Sequence, residues 1–227
     1  SALALLQLAK GQSEAAFTEL GKVAQTDTST IADLALFSAH MRAGNLDRAL
    51  VALDGLDRKQ PTSALPKQLR AQVLIRKLDH AGARSALEQA LARDAMYFPA
   101  VASMAALDMI ERKPDEAKKR FEAVLAKDPK HLPALTALAE FAARQGAAPD
   151  QVAVWLTRAV EAQPLEVTPR LMLIQLWLLA GDNKNAMQVA QAAASAFPND
   201  PDVMDLLGRA QLAAGSPNQA IQTFSRL

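Results

Sequence analysis

Cysteine is absent from the 227 residues, which excludes disulfide frameworks, thiolate metal sites and cysteine nucleophiles. Aromatic residues make up only 4% and glycine occurs nine times. A many-stranded β protein draws on aromatic and β-branched side chains and on glycine-rich turns, so that class is disfavoured. No charge of one sign dominates: 25 Lys and Arg stand against 24 Asp and Glu, for a formal charge of +1. Nothing in that balance drives the chain onto nucleic acid or anionic lipid. Long apolar runs are missing too. The segment Ala2 to Ala9 is apolar but short, has no basic residues before it and runs into Lys10-Gly11. It reads neither as a signal peptide nor as a span, and no direct membrane insertion of this segment is expected. Ser1 opens the chain without a methionine, and Leu227 falls inside an amphipathic pattern. Both ends read as cut from a longer chain.

What is present is a repeat. A small residue follows a turn at Ala16, Ala49, Ala83, Ala117, Val152, Ala186 and Ala220, at spacings of 33, 34, 34, 35, 34 and 34. Five residues earlier stand Gly11, Gly44, Gly181 and Gly215, and Gly146 joins them if the extra residue of its unit sits in Ala147-Ala148-Pro149-Asp150. Four residues after the anchor come Leu20, Leu53, Leu87, Phe121, Leu156, Ala190 and Phe224; seven after it come Val23, Leu56, Ala90, Val124, Ala159, Ala193 and Leu227. Apolar steps of three and four make a helical stripe and not a strand alternation. Glycine supplies the left-handed residue that ends a first helix. Proline ends the second helix at Pro61, Pro129, Pro164 and Pro198, because it lacks an N–H and clashes with the preceding turn. The other eight prolines fall where a first or second helix begins, a position that tolerates the missing donor. The spacing therefore predicts an all-α chain of helical hairpins, each covering the apolar side of its neighbour.

The sequence resembles the tetratricopeptide-repeat (TPR) family, whose unit is a 34-residue helix–turn–helix. Gly44-Asn45-Leu46-Asp47-Arg48-Ala49 and Gly181-Asp182-Asn183-Lys184-Asn185-Ala186 carry the family's turn. The third unit departs most, with Leu78 in place of the turn glycine, and the family's early tryptophan is missing throughout. The resemblance implies a right-handed α-solenoid superhelix over residues 1–227. It is read as one array of about seven units, the first and last partial, with units beginning near 30, 64, 98, 132, 167 and 201. Several stretches resemble one branch, the TPR-repeat lipoproteins of bacterial exosortase systems (PrsT). They include Tyr97-Phe98-Pro99-Ala100, the run from Phe121 to Pro129, the run from Leu138 to Gly146, and the run from Leu207 to Gly215. That branch implies a lipid-anchored protein on the periplasmic side of the bacterial envelope, linked to exopolysaccharide production and the sorting of PEP-CTERM proteins. Two other readings stay open: a cytoplasmic TPR regulator, or the binding portion of an enzyme whose catalytic domain lies outside this chain.

Candidate chemistry is sparse. The three histidines are far apart in sequence: His40 at a core position of a first helix, His80 in an interhelix turn, His131 after Pro129. A metal site needs converging ligands, and this spacing offers none. No phosphate-binding glycine loop, nucleophile elbow or zinc-protease helix is present. Asp108, Glu111, Asp115 and Glu116 read as helix-face and N-terminal charges. No catalytic residue, metal or cofactor is expected, and the chain reads as a protein-interaction scaffold and not an enzyme.

The resemblance also implies a partner-binding groove lined by first helices. Mapped onto this chain it comprises Leu34, Ser38, Met41 and Arg42, then Gln68, Gln72 and Arg76. Ala102, Ala106 and Met109 follow, then Thr136, Glu140 and Arg144, and last Leu171 and Gln175. Most are small, apolar or uncharged polar, and methionine and leucine adapt to a bound helix or extended peptide. Arg42, Arg76 and Arg144 form either a basic line for acidic groups or favourable cations at helix C-termini. The five asparagines lie in or beside turns, so a clamp of asparagines and lysines for a terminal carboxylate cannot be built. Expected partners are proteins or peptide segments, with no nucleic acid. The last helix is expected to expose Ile221, Phe224 and Leu227, so fraying or self-association through the cut ends is a further expectation.

Overall fold

The computed structural model describes residues 13–26 and 28–227, with side chains from residue 17. The turn glycine expected at Gly11 lies outside these residues. The described residues form thirteen helices and no strand: α1 (Ser13–Thr26), α2 (Ile31–Arg42), α3 (Leu46–Lys59), α4 (Leu65–Arg76), α5 (His80–Arg93), α6 (Phe98–Ile110), α7 (Pro114–Lys127), α8 (Leu132–Arg144), α9 (Pro149–Ala162), α10 (Thr168–Leu179), α11 (Asn183–Ala196), α12 (Pro201–Ala213) and α13 (Pro217–Phe224). The even-numbered helices from α2 to α12 are the first helices of six hairpins.

One turn closes all six. The second residue after the helix donates its N–H three residues back, and the next residue reaches five residues back. The second set of bonds runs from Asn45 to His40 O, Asp79 to Leu74 O, Lys113 to Asp108 O, Ala147 to Ala142 O, Asp182 to Trp177 O and Ser216 to Gln211 O, at 2.8–3.0 Å. This pairing satisfies carbonyls that a helix end leaves bare, and it requires a left-handed residue at the corner. Gly44, Gly146, Gly181 and Gly215 supply it at φ 72–76°. Leu78 and Arg112 adopt the same conformation at φ 62° and 60°. The missing glycine in the third unit, and the one in the fourth, thus leave the turn intact and strained. Helix α4 still ends at Arg76 and α5 still begins at His80. The extra residue of the longer unit sits after Gly146, as Ala147 and Ala148 separate it from Pro149.

Proline takes both kinds of position. Pro66, Pro99, Pro133 and Pro169 are second residues of their helices, while Pro114, Pro149, Pro201 and Pro217 are first. Pro61, Pro129, Pro164 and Pro198 follow α3, α7, α9 and α11.

The chain divides into two compact units between Ala117 and Lys118. In the first, each helix from α1 to α6 packs on the next, and first helix α4 also touches first helix α6. In the second, helices from α8 to α13 pack in the same sequence, with α10 touching α12. The anchors Ala49, Ala83, Ala117, Ala186 and Ala220 have no solvent exposure. Around them lie Leu53, Leu56 and Phe37 in one core cluster, and Leu87, Met104 and Leu107 in another. In the second unit Leu156, Ile174, Trp177 and Leu206 surround Ala186. Phe224 departs from expectation. Gly208 has no side chain, so the Phe224 ring settles on it and is half-buried, whereas Ile221 and Leu227 are exposed.

Charge specifies which hairpin follows which in the first unit. Asp47, Asp54 and Asp57 lie along one side of α3. Their partners Lys77, Arg70 and Lys67 run the opposite way along α4 and the turn that follows it, with Lys77 at 2.5 Å and Lys67 at 3.0 Å. Exposed pairs of this kind contribute about 0.2–1 kcal/mol each, so their larger effect is to fix register. A second device repeats. Lys59, ending α3, donates to Ser29 O at 3.0 Å and to Ala24 O at 2.8 Å. Arg93, ending α5, donates to Ser63 O at 2.9 Å and to Asp57 at 2.5 Å. A cation at the end of α3 and of α5 thus ties down the loop into its own first helix.

Two predictions follow from the strained turns and the charge row. Leu78 is 79% exposed, so Leu78→Gly loses little packing while relieving the left-handed strain. Leu78→Gly and Arg112→Gly are each expected to stabilise the fold by about 0.5–1 kcal/mol in urea denaturation, whereas Gly181→Ala destabilises it by a similar amount. Burial alone would raise the Asp57 pKa, but the hydrogen bonds of Arg93 and Lys67 outweigh it and hold the carboxyl below its ordinary value. Protonation therefore favours the unfolded chain. The stabilisation is complete above the unfolded value, about 4, and is lost as pH falls through the lower folded value. Asp57→Asn is expected to flatten the loss of stability as pH falls below about 4, followed by circular dichroism.

Candidate functional site

The residues expected to receive a partner fall into three groups. Ser38, Arg42, Gln72, Ala106 and Met109 are exposed on α2, α4 and α6 of the first unit; Glu140, Arg144 and Gln175 are exposed on α8 and α10 of the second. Arg76, also exposed, donates to Met41 O at 3.2 Å. Leu34, Met41, Ala102, Thr136 and Leu171 are half-buried. Met41 and Leu34 pack on the cluster of Leu36, Phe37 and Val73, and Leu171 packs on the core of the second unit. Thr136 turns its hydroxyl onto Leu132 O at 3.2 Å and Pro133 O at 3.1 Å. Gln68 is a correction. It is 4% exposed and its amide donates to Ser103 Oγ at 3.5 Å, so it joins α4 to α6 beneath the surface. A polar side chain at a first-helix position is not distinguishable by spacing from one that bridges two first helices.

The accessible candidate positions in the first unit are thus Ser38, Gln72, Ala106 and Met109 (two uncharged polar groups, one small residue and one adaptable apolar one) with Arg42 and Arg76 at the helix ends. Arg42, Arg76 and Arg144 end their first helices as expected. Arg76 caps a C-terminal carbonyl of the preceding first helix, and Arg144 lies 3.7 Å from Glu140 of its own helix. That geometry favours the helix-terminus role over a basic line.

Sequence reasoning missed the buried charges. Asp108, expected as a helix-face charge, is 1% exposed. Arg84 of α5 reaches it at 2.8 Å and Glu111 at 2.9 Å. The hydrogen bonds of Lys113 and Arg84 hold Glu111 below its ordinary pKa, and those of Asp108 and Glu111 raise Arg84 above its own. Asp33 is 2% exposed and bound to Lys59 at 2.5 Å. Gly55 of α3 has no side chain where the Asp33 carboxylate passes. These carboxylates are fully engaged with cations, an arrangement for holding helices together and not for moving protons. The signal available in sequence was the 34-residue spacing of Lys59 and Arg93.

The histidines do not converge. His40 is 7% exposed and stacks on Phe17, His80 is the first residue of α5, and His131 caps α8 through Nδ1, which accepts from Ala134 N at 3.2 Å. Among the described residues no group of three or more His, Asp or Glu side chains could hold a metal ion. No described helix is long and apolar enough to cross a membrane.

Tetratricopeptide-repeat family models match residues 111–166 and 153–201, and another matches 178–227; together they span just over half the chain. The chain belongs to the tetratricopeptide-repeat family. No curated protein matches it. Among solved structures, the fold is similar to that of PilW, described as a widely conserved type IV pilus biogenesis factor, with a TM-score of 0.57 and 17% identity over 91% of this chain and 96% of that one. It is also similar to PilF of Pseudomonas aeruginosa, with a TM-score of 0.57 and 16% identity over 87% and 90%. MamA matches with a TM-score of 0.52 and 17% identity over 69% of this chain and 91% of that one. At these identities the likeness establishes the fold, an all-α TPR solenoid. TPR arrays act as scaffolds that bind peptides or proteins. As a TPR chain it carries the buried Asp33 where the family's early tryptophan stands and the buried Trp177 at the place of the family's tyrosine.

Proposed function

We propose that this chain is a non-catalytic scaffold whose first helices receive segments of partner proteins at the bacterial envelope, in exopolysaccharide production and exosortase-linked protein sorting. The observation that carries the binding role is the character of the accessible first-helix positions. Ser38, Gln72, Ala106 and Met109 are exposed and carry no charge, with Arg42 and Arg76 at the helix ends, while Asp47, Asp54 and Asp57 of the same unit are drawn into pairs between hairpins. An uncharged surface with one flexible thioether accepts an extended or helical segment without desolvating ions. The envelope assignment is supported by the stretches from Phe121 to Pro129, Leu138 to Gly146 and Leu207 to Gly215, which resemble the lipoprotein branch. That branch places the full-length protein on the periplasmic side, anchored by lipid.

A photo-crosslinking amino acid placed at Gln72 or Met109 in the full-length protein, in its own cells, tests both parts. Adducts with export or sorting proteins are expected from these two positions and not from Glu88 on second helix α5. Equal capture from Glu88 would contradict the first-helix site, and adducts confined to cytoplasmic proteins would contradict the envelope assignment. Met109→Glu is expected to reduce capture by about tenfold without loss of helicity, because Met109 is already 38% exposed.

A further inference from the structure

A cavity of about 450 Å³ lies between α1, α2 and α3, apart from the exposed first-helix positions. One stripe of α3 forms a wall of it: Arg48, Val51, Gly55 and Arg58, at helical steps of three and four. Gly21 on α1 contributes no side chain, and at Gly55 on α3 the Asp33 carboxylate fills the place of one. Arg48 and Arg58 stand at its two ends, about 15 Å apart along the helix axis.

Three features of this trough are unsettled in the chain by itself. The His40 side chain is more than nine-tenths buried, lines the cavity, and its Nδ1 has no hydrogen-bond partner. Leaving a buried polar atom unpaired costs about 1–3 kcal/mol, so a group that hydrogen-bonds Nδ1 would be favoured there. Phe17 stacks on the imidazole with ring centres 4.3 Å apart and 9° between planes, which fixes the plane of the ring. Burial, and then the charge of Arg48, lower the His40 pKa, so the ring is neutral at pH 7 and can either donate or accept one bond at Nδ1. Finally, neither Arg48 nor Arg58 has an ion-pair or hydrogen-bond partner among the described residues. Lys59, by contrast, also lines the cavity but spends its ammonium on Asp33, Ala24 O and Ser29 O.

We infer that this trough binds a short extended peptide segment with an acidic side chain near each end and small apolar residues between, Arg48 and Arg58 taking the carboxylates and His40 Nδ1 a backbone group. The length fits: an extended chain advances about 3.3 Å per residue, so carboxylates four or five residues apart reach both guanidiniums. Between the arginines, Val51, Ala52 and the bare backbone of Gly21 admit alanine or valine side chains, while the Asp33 carboxylate beside Gly55 stays paired with Lys59. Guanidinium–carboxylate pairing supplies orientation as well as attraction.

The test uses the full chain and a fluorescein-labelled probe, Glu-Ala-Val-Ala-Glu, acetylated and amidated, beside the same peptide with glutamine in place of both glutamates. The acidic peptide is expected to bind and the glutamine peptide to bind at least about tenfold more weakly. Arg48→Gln and Arg58→Gln should each weaken the acidic peptide by about tenfold, with native circular dichroism, since both arginines are exposed. His40→Phe keeps the ring stack but removes Nδ1, and should weaken both peptides by a similar factor. In the wild type the His40 ring signals should shift on titration with the peptide. No binding, equal binding of the glutamine peptide, or affinity indifferent to both arginines would overturn the inference. Competition by glutarate as strong as by the peptide would overturn it too, making the trough a site for small organic anions. Met109→Glu leaves this binding unchanged, so failure here and failure of the first-helix site are separable.

Discussion

The spacing between helices in this protein is set by one methyl group per hairpin. The second helices α3, α5, α7, α11 and α13 each carry a fully buried alanine near their start, Ala49, Ala83, Ala117, Ala186 and Ala220. Closely packed interiors tolerate neither a void nor an extra methylene at such a crossing. With that distance fixed, leucines four and seven residues further on reach the core, and the next first helix lies against the same surface. Val152 fills the same place in the longer unit and is buried as well. The rest of the architecture, from the turn that closes each hairpin to the pairs that join neighbours, keeps these crossings in register.

Much of this was legible from residue spacing, because a repeated contact leaves a repeated residue. The anchors, the leucines and the prolines all act locally, through helix period or backbone geometry, and each is visible in a window of one unit. Leu78 and Arg112 were harder. Their turn is enforced by the two hydrogen bonds of the helix end and by the helices on either side, so the backbone adopts a glycine-like conformation without glycine. Tertiary packing has overridden local preference there. Phe224 was misjudged for a related reason: its burial depends on the absence of a side chain at Gly208, sixteen residues away.

The candidate surface was legible only in outline. Ser38, Gln72 and Met109 lie open as expected, but Gln68 and Met41 occupy similar positions and are taken up by the fold. The difference lies in which first helix comes next, and helical period does not encode it. The charges show the same limit. Asp33, Asp57 and Asp108 look like ordinary surface carboxylates in sequence, and become structural through cations about ten to thirty-six residues away. Pairing them inside the fold has a functional consequence. It leaves Ser38, Gln72, Ala106 and Met109 open on first helices of the first unit, between the terminal arginines, and leaves Arg48 and Arg58 as cations without internal counterparts beside a histidine with an unmet bond.

The most direct test of the account is the tolerance of an anchor to size. Ala186→Leu, compared with Gln188→Leu on the exposed side of the same helix, should be measured by urea denaturation. The account predicts a loss of about 1–3 kcal/mol or more for Ala186→Leu and little change for Gln188→Leu. Equal stability of the two variants would show that the helices are not held at a fixed distance by a small side chain, and the stacking described here would be wrong.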